Sequence, residues 1–451
     1  MTTFLGSLLA FIVAISVLVA VHEFGHYLVG RWCGMKVLRF SIGFGKPLWT
    51  RVAGVDRTEY CFSAIPLGGY VKFLDEREGP VEPADRGRAF NHRPVPQRIA
   101  VLLAGPMFNF LFAVIAYWVL FVSGIPTVMP EIGQVTPGSY ANAAGLEYGD
   151  RIVGIGDRDT PDWETALVAI LDEMLEDGRV PLEVERGDGE RHQLELDVGG
   201  EAARLTEPGL LFEGLGFEPW RPPAVVGSVE EGGAAEAAGI REGDRIVAIA
   251  GEPVRSFVDL QEIVASRPGE AVSVMLVRDG RELTFDLTLG SREVDGRRLG
   301  FMGVGVAAPA GDHWYMRQFG PVGAVGEALE RTVSSTGFTI RMLARMVTGD
   351  VSIKNISGPI NIAQYAGDSA AAGLNTFLSF LAIVSISLGV LNLLPIPILD
   401  GGQIVYQTVE LVKGSPLSDR SQLIGQQVGI VALLLLMSFA FYNDIARILS
   451  E

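Results

Sequence analysis

The sequence predicts a polytopic α-helical membrane protein with four spans and two exported α+β domains. Its 451 residues are 48% hydrophobic and only 20% charged, with a mean hydropathy of +0.31, which is too apolar for a wholly soluble chain. Four long uncharged runs cover residues 4–21, 99–130, 369–399 and 421–443. A pattern of 21 residues also occurs twice between the second and third runs. The same composition excludes disordered, collagen-like and disulfide-stapled proteins.

Each apolar run is long enough to form a membrane-spanning helix, because roughly 20 apolar residues cross the hydrocarbon core. The first run also resembles the core of a signal peptide, but Met1-Thr2-Thr3 carries no basic residue and no small-x-small cleavage site follows. We therefore interpret it as a permanent span. The third run contains Pro395 and Pro397 near its end. A broken helix at membrane depth is tolerated only where it is buried in protein or lines a wet cavity, so this segment is a candidate site.

The charges between the runs predict the orientation of the spans. Residues 27–98 carry 12 Lys and Arg against 7 Asp and Glu, whereas residues 125–373 carry 21 against 40. Because short basic loops stay in the cytoplasm, we expect the first loop on the cytoplasmic side and both termini and the acidic segment on the exported side. Cys33 and Cys61 then face a reducing compartment as free thiols. The net charge of −17 excludes a nucleic-acid partner.

The exported segment contains an internal repeat. Residues 135–155 align without gaps with residues 229–249, and 12 of the 21 positions are identical. The offset of 94 residues is typical of tandem domains, because solenoid repeats run at about 20–50 residues. Each copy reads as a strand, a turn of small residues with a short helix, and a Gly-Asp turn before a second strand. The sequence therefore predicts two related α+β domains.

A metal-binding pattern closes the first apolar run, in the segment His22-Glu23-Phe24-Gly25-His26. On a helix the two histidines lie about 40° apart on one face, within reach of a single Zn²⁺. Glu23 stands beside them, where a carboxylate can take a proton from water. Alternatively, the span simply ends at His22 and these residues are solvated at the membrane surface. The cost of polar side chains within an apolar run favours the metal site.

A catalytic zinc site needs a third protein ligand. Asp400 is the best candidate, since it closes the third apolar run in the segment 392–402. The first and third spans cross the membrane in the same direction, so both of their ends emerge on the cytoplasmic side and can meet at one depth. Taken alone, an aspartate before Gly401-Gly402 also fits the simple end of a helix.

Together these motifs resemble the site-2 protease family of intramembrane zinc metalloproteases. The resemblance covers essentially the whole chain. Besides the histidine motif it includes residues 40–45, Gly105-Pro106 with Asn109, residues 357–360, and the Asn-x-x-Pro-x-Pro-x-Leu-Asp-Gly segment that ends with Asp400 and Gly401. Gln403 departs from the pattern, because relatives often have His after Asp-Gly-Gly.

The resemblance implies the roles of individual residues. One Zn²⁺ is expected to be bound by His22, His26 and Asp400, with Glu23 as the general base. A membrane-associated β-hairpin is expected around the Gly-Phe-Gly segment and to pair with an extended substrate. The residues expected at the substrate are Gly43, Phe44, Gly45, Asn392, Pro395 and Pro397.

The two repeat copies resemble the PDZ domains of bacterial envelope proteases. Residues 214–217, Gly-Leu-Gly-Phe, resemble the loop that holds a carboxylate in such domains, and Leu299-Gly300-Phe301 is the expected counterpart in the second copy. PDZ-like domains bind exported peptides or C-termini by adding them as a strand to an open sheet edge. Alternatively, the two grooves are closed and the domains act only as size filters.

Residues 313–347 follow the second copy and place apolar side chains at helical spacing, with arginines between them. This pattern fits an amphipathic helix on the outer membrane surface, or a connector helix packed on the tandem domains.

The complete set of predicted boundaries is: spans at 1–27, 99–124, 369–402 and 421–443; a cytoplasmic or re-entrant β loop at 28–98; PDZ-like domains at 125–221 and 222–308; the connector at 309–368; a cytoplasmic loop at 403–420; and a tail at 444–451.

The resemblance implies hydrolysis of peptide bonds within the membrane-spanning segments of single-span proteins. The implied substrates are an anti-sigma factor that a first protease has already cut and remnant signal peptides. The implied location is the bacterial inner membrane, surrounded by lipid, with the active site near the cytoplasmic side. Two other classes remain open: a scaffold whose tandem domains bind exported peptides, and a zinc transporter, which a single HExxH motif with its adjacent acid favours less.

Overall fold

The computed structural model describes residues 4–77, 79–294, 297–307 and 313–450. It divides into two compact units, Met1–Ile125 with Met316–Glu451, and Pro126–Tyr315. Among the described residues, four helices are long and apolar enough to cross a membrane, and all four belong to the first unit. The protein is therefore a polytopic membrane unit with a second unit inserted between its second and third spans.

Helix α1 (Phe4–Trp32) is the first of these four helices and contains the whole histidine motif. Strands β1 (Val37–Ala53) and β2 (Thr58–Phe73) follow it and form one sheet. The first part of β1 pairs with residues 69–73, and its second part pairs with the beginning of β2. Within the described part of the chain, residues 69–73 have a strand partner on one side only, so they form an open edge of this sheet.

Helix α2 (Val95–Ser123) is the second apolar helix and packs along α1. Two 3-10 turns, Arg86–Arg88 and Phe90–His92, precede it. Pro106 lies inside α2 without ending the helix. The predicted boundaries of the first two spans, 1–27 and 99–124, are thus extended to Trp32 in α1 and back to Val95 in α2.

The second unit begins at β3 (Ile125–Val128) and contains the first copy of the repeat. A four-stranded sheet in the order β6-β5-β7-β8 and a two-stranded sheet of β4 and β9 enclose its apolar core. The elements of the first copy are β4 (Ile132–Val135), α3 (Tyr140–Ala144), β5 (Arg151–Ile155), β6 (Arg158–Asp159), α4 (Trp163–Asp177), β7 (Arg179–Glu185), β8 (Arg191–Asp197), α5 (Ala202–Leu205), α6 (Leu210–Leu215) and β9 (Phe217–Pro219).

The second copy has the same arrangement around a core of its own. Its sheets have the orders β12-β11-β13-β14 and β10-β17, with one additional hairpin of β15 and β16. Its elements are β10 (Val226–Val229), α7 (Ala234–Ala238), β11 (Arg245–Ile249), β12 (Glu252–Pro253), α8 (Phe257–Ala265), β13 (Ala271–Arg278), β14 (Arg281–Thr288), β15 (Gly290–Val294), β16 (Arg297–Phe301) and β17 (Val304–Val306).

The strand register shows that Leu299-Gly300-Phe301 is not the counterpart of the Gly-Leu-Gly-Phe loop, so this prediction is wrong. Phe217 pairs with Val135 in the first copy, and Val304 pairs with the equivalent Val229 in the second. The turn glycine before each strand has a similar left-handed backbone, with φ of 83° at Gly216 and 81° at Gly303. The equivalent loop is therefore residues 301–304, because the β15–β16 hairpin of the second copy shifts the sequence spacing.

Both copies contain the same buried ion pair after the Gly-Asp turn. Asp150 is 2% exposed and accepts a hydrogen bond from Arg186 Nε at 3.2 Å. Asp244 is 1% exposed and accepts from Arg278 Nε at 2.7 Å. Each carboxylate also accepts the backbone N–H three residues before it. These bonds join the turn to the central hairpin of each copy, which explains why Asp recurs in the repeat.

The chain returns to the membrane unit through β18 (Trp314–Arg317) and helix α9 (Gly323–Thr348). The predicted helix over residues 313–347 is therefore a strand followed by a helix that begins ten residues later. Helix α9 packs against α2 through Ala324 and Ala328. Its outer face keeps Val325, Leu329 and Val333 exposed. The helix is thus amphipathic and is held on the spanning helices.

The remaining helices are α10 (Pro359–Ala372), α11 (Leu374–Asn392), α12 (Asp400–Lys413) and α13 (Asp419–Ser450). The predicted third span, 369–402, is really α11 followed by a non-helical loop. The segment predicted as a cytoplasmic loop, 403–420, contains most of α12. Helix α13 continues to Ser450, through the residues predicted as the tail, 444–451. Asp444 does not end that helix, since it is 1% exposed and accepts the backbone N–H groups of Gly358 and Ile360.

We expect Asp244→Asn to destabilise the second copy. Burial raises the pKa of the Asp244 carboxyl. Hydrogen bonds from Arg278 and from the backbone lower it by a larger amount in total, so the net pKa is below its usual value. Such a carboxylate stabilises the fold above the unfolded pKa of about 3.9, and this contribution is lost as the pH falls through the folded pKa. The substitution should reduce the free energy of unfolding by about 2–3 kcal/mol at pH 7.

Urea unfolding of the full-length protein in detergent micelles at pH 7 and at about pH 2.5 measures this effect. The matched control is Asp286→Asn, which changes an exposed carboxylate in the same copy. The Asp244 variant should lose less stability than the parent protein on acidification, since the titrating group is absent. Equal unfolding midpoints for the two variants at pH 7 would contradict the role of the buried pair.

Candidate metal centre

Three side chains that are distant in sequence meet at one point of the membrane unit. His22 Nε2 lies 3.1 Å from His26 Nε2, and Asp400 Oδ2 lies 3.1 Å from the first and 3.5 Å from the second. Zn²⁺ bonds of about 2.0–2.1 Å at tetrahedral angles separate two ligand atoms by about 3.3 Å. The three atoms therefore fit three corners of a zinc site. Among the described residues, this is the one cluster of three or more His, Cys, Asp or Glu side chains with metal-binding spacing.

The close packing of α1 against α2 holds the two histidines. A Cβ atom at Gly105 would lie 2.4 Å from His26 Nε2 and 2.7 Å from His22 Cε1. A Cβ atom at Gly25 would lie 2.4 Å from the backbone oxygen of Ala104. Because these distances are shorter than any ordinary carbon contact, the helices can approach this closely only with glycine at both positions.

Polar groups of α2 orient the two imidazole rings. His26 Nδ1 donates to the Val101 carbonyl at 2.7 Å, which leaves the lone pair on Nε2, the atom that faces Asp400. Asn109 is fully buried, and its Nδ2 lies 3.2 Å from His22 Nδ1, a position that Oδ1 takes when the amide is rotated by 180°. The amide orientation in which Oδ1 accepts from His22 Nδ1–H gives that ring the same tautomer. Both Nε2 atoms are then available to a metal ion.

A cavity of about 740 Å³ opens beside this cluster. Glu23 lies on its wall together with the three clustered side chains. The Glu23 side chain also packs against β2, where a Cβ atom at Gly69 would lie 3.1 Å from its Cγ atom. The cavity is thus bounded by a carboxylate that is close to the cluster and packs against the edge of the β1–β2 sheet.

The predicted substrate residues divide into two groups. Asn392 and Phe44 lie on the cavity wall. Within the described part of the chain, that wall does not include Gly43, Gly45, Pro395 or Pro397. Gly43 and Gly45 instead adopt left-handed backbone, with φ of 91° and 84°, in the irregular middle of β1. The prediction of direct contact for these four residues is therefore not supported by the cavity.

The sequence interpretation missed the strand that does line the cavity. Residues 68–73 contribute to its wall, and most of them belong to the open edge of the β1–β2 sheet. A Cβ atom at Gly69 would lie 3.1 Å from the Glu23 side chain, so this edge passes directly beside the acid. The available signal was Gly68-Gly69 followed by the β-prone residues Tyr70 and Val71.

The loop between α11 and α12 positions Asp400 at the first residue of its helix. Cβ atoms at Gly401 and Gly402 would lie 2.3 Å and 2.2 Å from the backbone oxygens of Leu393 and Ile396. The loop therefore wraps tightly around the start of α12. Gln403 donates from Nε2 to the Pro397 carbonyl at 2.9 Å, which fixes the same loop. At the position where the sequence departs from its relatives, Gln403 thus stabilises the proline segment.

A model of the peptidase family M50 matches residues 10–436 of the chain. The chain belongs to this family. The chain is similar to a regulator of sigma E protease of Salmonella typhi, with 40% identity over 454 residues, and the alignment covers 99% of this chain and 100% of the relative. The regulator of sigma-E protease of Escherichia coli K12 is 39% identical over 452 residues, with the same coverage of both chains.

A putative zinc metalloprotease of Neisseria meningitidis is 41% identical over 450 residues, covering 98% of this chain and 99% of its own. Membership of family M50 and these full-length relatives make the chain a site-2 protease that uses zinc. The resemblance found from the histidine and Asp-Gly motifs is therefore confirmed at the level of the family, the enzyme class and the cofactor.

We expect Gly105→Ala to weaken zinc binding strongly, because the added methyl group would overlap the His26 ring. Displacement of groups that support metal ligands typically costs about 10–100-fold in metal affinity. Competition with a chromophoric chelator on the purified protein measures the zinc Kd. The matched control is Gly326→Ala in α9, where no atom lies within 4 Å of the new Cβ. Unchanged zinc affinity in the Gly105 variant would contradict the packing argument.

Proposed function

We propose that this M50 protease cleaves peptide bonds within the membrane-spanning segments of single-span proteins. The observation that carries the proposal is the meeting of His22, His26 and Asp400 at tetrahedral spacing beside Glu23. Two of the ligands come from a spanning helix, and the third follows another spanning helix, so the reaction site is inside the membrane unit. A substrate segment that reaches this cavity must itself enter the membrane region of the protein.

In this proposal His22, His26 and Asp400 hold Zn²⁺, and Glu23 is the general base. Zinc, when bound, supplies Lewis-acid polarisation of the scissile carbonyl and makes water more acidic. The Glu23 carboxylate accepts the proton of the attacking water and then donates it to the leaving amine nitrogen as the C–N bond breaks. Packing of the Glu23 side chain against Gly69 places it at the edge of the sheet, beside the expected path of the substrate.

The substrate must be unwound before it is cut, because the carbonyl of a helical peptide bond is shielded and hydrogen-bonded. Inside a membrane the released backbone groups need new partners. The open edge formed by residues 69–73 lies on the cavity wall and offers such partners by strand addition. We infer that the substrate pairs with this edge and passes between it and the metal cluster. Phe44, which stacks on Tyr70, lies beside this edge, and Asn392 also lines the cavity.

We further propose that the two copies of the exported unit are PDZ-like domains, at residues 125–221 and 222–308, that screen substrates by size or by their exported ends. Each copy has a strand, β9 or β17, that follows a glycine turn and has one strand partner within the described residues. Residues 308–312, at the end of the second domain, lie outside the described residues. Peptide binding by strand addition requires such an edge.

The names of the full-length relatives support an anti-sigma factor as the substrate, cut after a first protease has removed its exported part. Remnant signal peptides are a second substrate class of the same chemical type, since each is a single apolar span. The excess of positive charge in residues 27–98 supports a cytoplasmic position for the first loop and an exported position for both termini. The protein then lies in the bacterial inner membrane with its metal cluster near the cytoplasmic side.

We expect Glu23→Gln to abolish cleavage while leaving zinc bound, because the amide keeps the shape of the side chain but cannot accept a proton as a base. Loss of a general base typically costs about 10²–10⁴-fold in rate. Cleavage of a co-reconstituted single-span substrate in proteoliposomes measures the rate, and metal analysis measures zinc. The matched control is Glu82→Gln, an exposed carboxylate in the cytoplasmic segment. A Glu23→Gln protein that still cuts the substrate would contradict the assignment.

Cross-linking tests the substrate path. In a Glu23→Gln, Cys33→Ser, Cys61→Ser background, Tyr70→Cys should form a disulfide with a cysteine near the scissile bond of the substrate, because residue 70 lies on the cavity wall. The control Val52→Cys is exposed on the second part of β1, away from that wall. We expect at least a 10-fold higher yield for Tyr70→Cys. Equal yields would show that the substrate does not follow the open edge.

A further inference from the structure

A buried ion pair joins the helix that supports the histidines to the helix that begins with Asp400. Arg98, in the first turn of α2, donates from Nη2 and Nη1 to the two carboxylate oxygens of Glu410, at 2.6 Å and 3.0 Å. The side chains are only 8% and 17% exposed. The contact is therefore a two-point bond between residues 312 positions apart in the sequence.

Each partner lies on a helix that also supports or supplies a ligand of the metal cluster. Val101, whose carbonyl accepts from His26, lies one helical turn after Arg98 on α2. Glu410 lies in the last turn of α12, and Asp400 is the first residue of the same helix. Helix α12 behaves as a rod of about 20 Å, so a shift or rotation at the Glu410 end is transmitted to Asp400. The preceding loop of residues 393–399 is not helical and gives α12 no continuous connection to α11.

The energetics of such a pair favour positioning over stability. Desolvation of both charges cancels much of their attraction, so a buried pair adds little to the net free energy of folding. Its two parallel hydrogen bonds nevertheless fix both the distance and the rotation between the helices. A metal ligand has to be held within about 0.5 Å of its productive position. Asp400 belongs to α12. Among the hydrogen bonds and ion pairs of the described residues, the Arg98–Glu410 pair is the one charged contact between α12 and α2.

We propose that Arg98 and Glu410 are positioning residues that set the distance between the Asp400 carboxylate and the two imidazoles. The inference rests on the proposed metal site and adds a part of the protein, at the end of α12 remote from the metal, on which zinc affinity depends. Neither residue is among those that line the cavity or form the cluster. Their effect therefore acts through the placement of α12.

The decisive variant replaces both charges at once, as Arg98→Met with Glu410→Leu. Apolar side chains of similar volume usually maintain or increase the stability of a site once occupied by a buried ion pair, but they lack its directional bonds. We expect a melting temperature close to that of the parent protein and a zinc Kd at least 10-fold weaker by chelator competition. The visible absorption spectrum of the Co²⁺-substituted protein should also change, since the ligand geometry is altered.

Single variants and an exposed pair serve as controls. Arg98→Gln and Glu410→Gln each leave one buried charge without its partner, so zinc binding is normalised to the folded fraction measured by gel filtration. Arg86→Gln removes the cation of a more exposed pair, with Glu76, in the same cytoplasmic segment. Exposed ion pairs contribute little to stability, so the zinc Kd of this variant should stay within about 2-fold of the parent value.

The outcomes separate the inference from the proposed site. If Asp400→Ala binds zinc as tightly as the parent protein, the metal site itself is wrong. If Asp400→Ala loses zinc but the Met/Leu double variant keeps the parent Kd and Co²⁺ spectrum, the metal site stands and the positioning role is overturned. If zinc affinity falls only in proportion to the folded fraction, the pair is merely structural and the inference also fails.

Discussion

The close approach of α1 and α2 at Gly25 and Gly105 is the contact on which the rest of the membrane unit depends. A side chain at either position would separate the helices, and the imidazoles of His22 and His26 would lose the groups of α2 that orient them. Glycine thus serves here for backbone proximity within a helix, where it otherwise weakens helical structure. The apolar environment compensates for that weakness, because a spanning helix keeps its backbone hydrogen bonds in lipid.

This proximity also solves the problem of polar side chains inside an apolar unit. Each ring has a partner for Nδ1, and the main chain of Asn109 in turn accepts from Ser385 on α11 at 2.9 Å. A chain of hydrogen bonds therefore connects three helices around the cluster. The helices α1, α2 and α11 are consequently linked to one another around the three clustered side chains.

The unit of residues 126–315 and the β1–β2 sheet use strand edges in a different way. The repeat copies close their turns with a buried Asp and Arg, so their cores are well defined, while β9 and β17 remain short and paired on one side. Residues 69–73 form a comparable edge against the cavity. Open edges usually promote unwanted association, and here the membrane unit encloses one of them beside Glu23. This is the edge to which the proposed function assigns the extended substrate.

The sequence by itself determined the four apolar helices, the repeat and the three clustered side chains, because apolar length, internal similarity and the spacing of His22 and His26 are local properties of the chain. The order of the spans also indicated Asp400, because the first and third spans cross in the same direction and therefore end on the same side of the membrane. Only the tertiary structure decided which strand lines the cavity, which glycines allow close packing, and that Arg98 meets Glu410. These features depend on partners that are distant in the sequence or on strand register. A hairpin such as β15–β16 changes the sequence spacing between equivalent strands of the two copies without leaving a clear local signal. The helix beyond Gly402 and the continuation of α13 past Asp444 were missed for the same reason, since buried contacts override the local end of an apolar run.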